Sequence, residues 1–158
     1  MKFLIFSFLM AFCKLLPGHN DCMHVQEVRA LFEKGIESKE ELKHMFEICN
    51  QYPCEQITPY LSAATMKQAE FTWSPIKQYR FFNQGKNMLE KHIETHPNTI
   101  EGRYIRWLIQ TMAPKFLKYR QNIDEDYQFI IQNIERSQLT QTTKQNILTR
   151  MENIKNNE

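Results

Sequence analysis

Glycine is scarce in this chain, with four in 158 residues. Sheet-rich small domains draw on glycine for their tight turns, so the shortage points to helices. No Gly-rich loop of the Walker or dinucleotide type is present, which removes the common phosphate-cradling functions. Charge of one sign is also lacking. The net charge of +2 gives no bulk electrostatic drive toward nucleic acid. There is no CxxC pair and no HExxH, since His92 is followed by Ile93, Glu94 and Thr95. No serine, cysteine or threonine sits in a recognisable nucleophile motif. Paired carboxylates such as Glu40 and Glu41 fall on helix positions that read as solvated. Neither a reaction nor a cofactor is expected from these residues.

What is present begins with an apolar run. MKFLIFSFLMAFCKLLPG carries Lys2 and then apolar residues from Phe3 to Cys13, interrupted only by Ser7. A basic start followed by about 7–15 apolar residues is the layout of a secretory signal. The run is short for a membrane span, which needs about 20. Residues 1–20 therefore read as a signal peptide, with a buried N-terminal helix as the alternative. Cleavage after Ala11-Phe12-Cys13 or later, before Asp21, both fit, so the site stays open. Residues 21–158 form the expected helical domain, periplasmic or secreted, with no stable membrane span once the signal is removed.

The cysteines are Cys13, Cys22, Cys49 and Cys54. Cys49 and Cys54 flank NQYP, a turn sequence, and could bridge in an oxidising compartment. Cys49 also continues an apolar helical stripe, where it would serve as a small core residue.

Apolar spacing predicts about seven helices and no strand. Val25, Val28, Leu31 and Phe32 mark the first, which Gly35 can end. Ser38 and Glu41 form a capping-box signature for the second, striped by Leu42, Met45, Phe46 and Cys49. The third runs from about Thr58 to Phe71, with Pro59 in its first turn. Ser74 caps a fourth that reaches Thr95, with Ile76, Tyr79, Phe82, Gly85, Leu89 and His92 along its apolar side. Ile100, Tyr104, Trp107 and Leu108 mark the fifth. Asp124, Glu125 and Asp126 open the sixth, at the positive end of its dipole. The last follows Thr140. Short loops between such helices favour antiparallel hairpins.

Gly85, Leu89, His92 and Pro97 fall where the second helix of a tetratricopeptide repeat places a small residue, a large apolar residue, a small residue and a closing proline. Asn98 follows. The segment from Pro59 to Thr95 thus resembles one tetratricopeptide (TPR-like) hairpin, with Ile100 starting the next. His92 replaces the usual alanine and Arg103 a large aromatic, and the loop around Trp73 lengthens the unit beyond the usual ~34 residues. The wider pattern FFNQGKNMLEKHI, PNTIEGRYIRWLIQ and APKFLKYRQNIDEDYQFI resembles small exported bacterial proteins. These resemblances imply stacked hairpins with a concave groove for a protein or peptide, and they carry over no catalytic residue.

Three clusters are candidate sites. His92 and His96 lie one helical turn apart and could share a metal, or else pack inside and cap a helix end. Arg103 and Arg106 share a face with Gln110. They could clamp an anion or touch a partner, or pair with Glu90, Glu94, Asp124, Glu125 or Asp126 on adjacent helices. Lys115, Lys118 and Arg120 interleave with Phe116 and Tyr119, as a nucleic-acid or membrane contact would, or as a solvated connector with its aromatics turned inward. The expectation is an exported, non-enzymatic helical protein that binds a protein or peptide and not nucleic acid. The alternative is a metal-dependent or small-anion-binding protein using the His/Arg cluster.

Overall fold

A computed structural model describes residues 22–156. The candidate signal and Cys13 lie outside the described residues. Seven α-helices follow one another: α1 Val25–Lys34, α2 Lys39–Gln51, α3 Thr58–Lys67, α4 Pro75–Thr95, α5 Ile100–Met112, α6 Ile123–Asn133 and α7 Gln141–Lys155. Four short 3₁₀ turns join them, and no strand occurs among the described residues. The fold is all-α.

Small hydroxyl side chains start four of these helices. Ser38, Ser74, Thr99 and Thr140 accept from the backbone N–H of Glu41, Lys77, Gly102 and Thr143. Each satisfies one donor that the helix itself leaves unpaired. At α2 the capping box is complete, because the Glu41 carboxylate accepts in return from the Ser38 N–H at 3.2 Å. The Lys34 ammonium beside that carboxylate, together with the Glu37 N–H, holds the Glu41 pKa down at about 2. The third helix differs slightly from expectation. Its last turn tightens into a 3₁₀ segment, Gln68–Phe71, before Thr72 turns extended.

α3 and α4 pack closely as a hairpin. A Cβ on Gly85 would sit 2.4 Å from the Ser62 carbonyl oxygen and 2.6 Å from Met66 Cγ. Only glycine lets the two helices approach this far. α5 packs on α3 and α4 and then pairs with α6. Tyr104, Ile105, Trp107 and Leu108 carry α5 into the core, where they join Met45, Leu89, Ile130, Ile147 and Met151.

The disulfide departs from the expected pairing. Cys54 bridges to Cys22, with their Cα atoms 6.1 Å apart, and Cys49 stays a free thiol. The reason lies in helix geometry. Cys49 follows Leu42 and Met45 on the buried face of α2, so its side chain enters the core. Burial pushes its thiol up to about 11. Cys54 lies past the turn, beside the segment that precedes α1, so the bridge ties the start of α1 to the exit of α2.

Candidate functional site

The expected arginine cluster forms, but as an internal brace. The Arg106 Nε and Nη2 donate to the two carboxylate oxygens of Asp126 at 2.6 and 2.7 Å, and its Nη1 donates to Glu90 at 2.8 Å. Arg103 donates to Asp126 at 2.9 Å, to Glu125 at 3.0 Å and to the Pro97 carbonyl at 2.9 Å. The Tyr119 hydroxyl donates to the other oxygen of Glu90 at 2.5 Å. α4, α5 and α6 are thereby pinned together at buried positions. Burial alone would lower the Arg106 pKa. The hydrogen bonds and charges of Asp126 and Glu90 outweigh it and raise the value. All three nitrogens of Arg106 thus meet carboxylates of adjacent helices, the interhelical pairing that is one of the two expectations for it.

A second buried pair has no counterpart in the sequence reading. Arg29 of α1 donates through Nε and Nη2 to Glu101 of α5, both at 2.6 Å, and the Tyr60 hydroxyl of α3 donates to the same carboxylate. Burial first, and then the Glu101 charge, push the Tyr60 phenol well above its ordinary value. Arg29 and Glu101 are 72 residues apart. No local spacing rule joins positions so distant.

His92 and His96 stack, with ring centroids 4.8 Å apart. His92 is buried against α5, its ring edge facing Gly102. Its Nε2 has no hydrogen-bond partner. Burial, and then the neighbouring His96, lower its pKa, which keeps the ring neutral. His96 sits at the C-cap of α4, with Nδ1 3.2 Å from the His92 carbonyl oxygen and Nε2 3.4 Å from Glu55. Among the described residues no group of three or more His, Cys, Asp or Glu side chains is placed to hold a metal. The pair closes the α4–α5 joint.

The basic connector splits. Tyr119 turns inward and is buried, whereas Phe116 stays 79% exposed. Phe116 belongs to an open groove of about 670 Å³ between the α3–α4 hairpin and the end of α5. Its lining includes the small residues Ala63, Ala64 and Ala113 and the large side chains of Phe32, Tyr79, Phe82 and Met112. Lys67, Glu70 and Arg150 are the charged members. Glu70 is taken by Lys67 at 2.7 Å, and Arg150 by Glu33 at 3.2 Å.

The groove exists because α4 outruns its support. Its 21 residues span about 31 Å, whereas α3 has ten. The apolar stripe of α4 is buried at Gly85, Leu89 and His92. Its forward continuation is uncovered, with Ile76 82% and Tyr79 63% exposed. Trp73, at the turn leading into α4, is fully exposed. Here the stripe was legible in the sequence, and its lack of a covering partner was not. Among the described residues no helix is long and apolar enough to cross a membrane. Comparison of the chain with family models, with curated proteins and with solved structures returns no significant match.

Proposed function

We propose that this is an exported, non-enzymatic docking protein of tetratricopeptide-like hairpins, periplasmic or secreted, whose groove receives an apolar segment of a protein or peptide partner. The observation that carries the reading is an apolar groove lined by the exposed side chains of Tyr79, Met112 and Phe116, with Trp73 and Ile76 also exposed where α4 begins. Large apolar side chains gathered at one concavity are a binding-surface signature, because each loses hydration favourably once covered. The Cys22–Cys54 bridge supports export, since such bonds persist in oxidising compartments. The alternative based on a His/Arg cluster is weaker, because three of the five N–H donors of Arg106 already meet carboxylates of this chain.

Binding is tested by titrating ¹³C-methyl-labelled protein with apolar peptides. Ala63, Ala64 and Ala113 are expected to shift and the methyl of Ala30, on α1, to stay still. Uniform shifts, or none with any peptide, would overturn the reading. Export is tested by the intact mass of the protein from an exporting host. A retained N-terminal segment on a reduced chain would sink that part.

A further inference from the structure

The groove carries an inference about its occupant, which rests on the docking reading above. One wall is α4 and the other a connector with a single 3₁₀ turn, Lys115–Leu117, and no sheet edge exists among the described residues. A partner strand would find no backbone to pair with here, and its own N–H and C=O groups would enter an apolar groove unsatisfied. A helix satisfies its own backbone and presents only side chains, so it is the secondary structure that this groove admits at least cost.

Charge narrows the choice further. The two walls that flank the opening are PIKQYRFF at 75–82 and APKFLKYR at 113–120. The second carries Lys115 between the lining residues Pro114 and Phe116, with Lys118 and Arg120 just beyond, all exposed and without a carboxylate. Lys77 and Arg80 of the first are exposed on the side of α4 away from its lining residues Gln78, Tyr79 and Phe82. None of these five cations has an ion-pair partner among the described residues. Of the acids by the groove, Glu70 pairs with Lys67 and Glu33 with Arg150. Glu37, next to the lining residue Ile36 and far in sequence from the 113–120 connector, makes no ion pair among the described residues. Downstream, Glu125 and Asp126 are held by Arg103 and Arg106. Lys115, Lys118 and Arg120 thus place positive charge without an ion-pair partner along one lip of the apolar groove, in a chain whose net charge is only +2.

We infer that the groove is the receptor site for an amphipathic helix of a partner protein, whose apolar stripe enters the groove and whose flanks carry aspartate and glutamate. The apolar groove supplies the contact area, and the cations steer the helix and set its register.

Three synthetic helical peptides test this. They share leucines and phenylalanines at i, i+3, i+4 and i+7, with glutamate, glutamine or lysine at the flanking positions. Binding to the full, oxidised protein is read by fluorescence anisotropy. The glutamate peptide is expected to bind at least about tenfold tighter than the lysine peptide in low salt, a difference of about 1.4 kcal/mol. The difference should collapse in high salt, where the Debye length shrinks to a few ångström. The exposed double variant Lys115→Glu/Lys118→Glu should cancel or reverse the order. Equal affinity for all three would leave the docking groove standing and overturn its acidic preference. Equal binding of a proline-interrupted version would overturn the helix. Binding to vesicles of anionic phosphatidylglycerol, with none to any peptide, would replace the partner helix by a lipid surface and overturn the inference together with the docking reading.

Discussion

Replacing Asp126 by asparagine isolates the buried brace. The change preserves shape and removes the charge that three guanidinium N–H groups address, two from Arg106 at 2.6 and 2.7 Å and one from Arg103 at 2.9 Å. Asp126 is completely buried. Breaking a buried ion pair by removing one partner costs about 3–5 kcal/mol, because the other charge stays in place uncompensated. Here Arg106 keeps Glu90 and Arg103 keeps Glu125, so the lower end, about 3 kcal/mol, is expected. Against a total stability of ~5–15 kcal/mol that is a large share.

Urea unfolding followed by far-ultraviolet circular dichroism measures it, with an unchanged slope confirming a shared unfolded state. Asp124→Asn, an exposed neighbour, is the control and should stay within about 0.5 kcal/mol of wild type. The double variant Arg106→Met/Asp126→Leu should lose less than Asp126→Asn, since it leaves no orphaned charge at that contact. If Asp126→Asn and Asp124→Asn behave alike, the brace is not structural, and the arginines become free for a ligand.

Gly85→Ala should destabilise by about 1–3 kcal/mol, as overpacking does, even though alanine is the better helix former by ~1 kcal/mol. The added methyl meets the Ser62 carbonyl and Met66; a thermal midpoint equal to wild type would show that α3 yields freely. Reducing the Cys22–Cys54 bridge, which spans a separation of 32 residues, should cost about 3–4 kcal/mol by loop entropy. Cys49 should stay closed to thiol reagents until urea opens the core, and rapid labelling of the folded oxidised protein would contradict its burial. For His92 the folded pKa lies below that of the unfolded chain. The unfolded state therefore takes up the proton first as pH falls through about 6.5, and stability declines from there toward the folded pKa. His92→Leu should flatten the urea midpoint between pH 7.5 and 5.5, and equal slopes in both proteins would refute the assignment.

Helix boundaries were legible because they are local. Ser38 with Glu41, Ser74 before Pro75, and Thr140 are short-range chemistry, and the helices start where those residues stand. Gly85 was legible as a small position on an apolar stripe, and its close approach to Ser62 gives that smallness its cause. The disulfide was misread because proximity in sequence favoured Cys49 and Cys54. Helix phase sends Cys49 inward and brings Cys22 across from another element. The Arg29–Glu101–Tyr60 cluster was invisible for the same reason, as its members meet only after α1, α3 and α5 have packed.

Two inversions of the usual burial pattern remain, and they call for different explanations. Arg29, Glu101, Arg106 and Asp126 are charged and inside, whereas Trp73, Ile76, Tyr79, Met112 and Phe116 are apolar and outside. Buried charge and clustered exposed apolar surface are both informative departures from the average protein. The first is complete within the chain, since each of these four charges meets its opposite at hydrogen-bond distance. Such pairs add little net stability over apolar packing, but they penalise any sliding of one helix past the next. Apolar side chains alone would tolerate that sliding far better. The second inversion has no partner within the described residues. Hairpins held in register by internal ion pairs can leave α4 projecting without collapsing onto its own apolar stripe. The buried charges and the open groove are in this sense one design: the former keep rigid the wall that the latter needs.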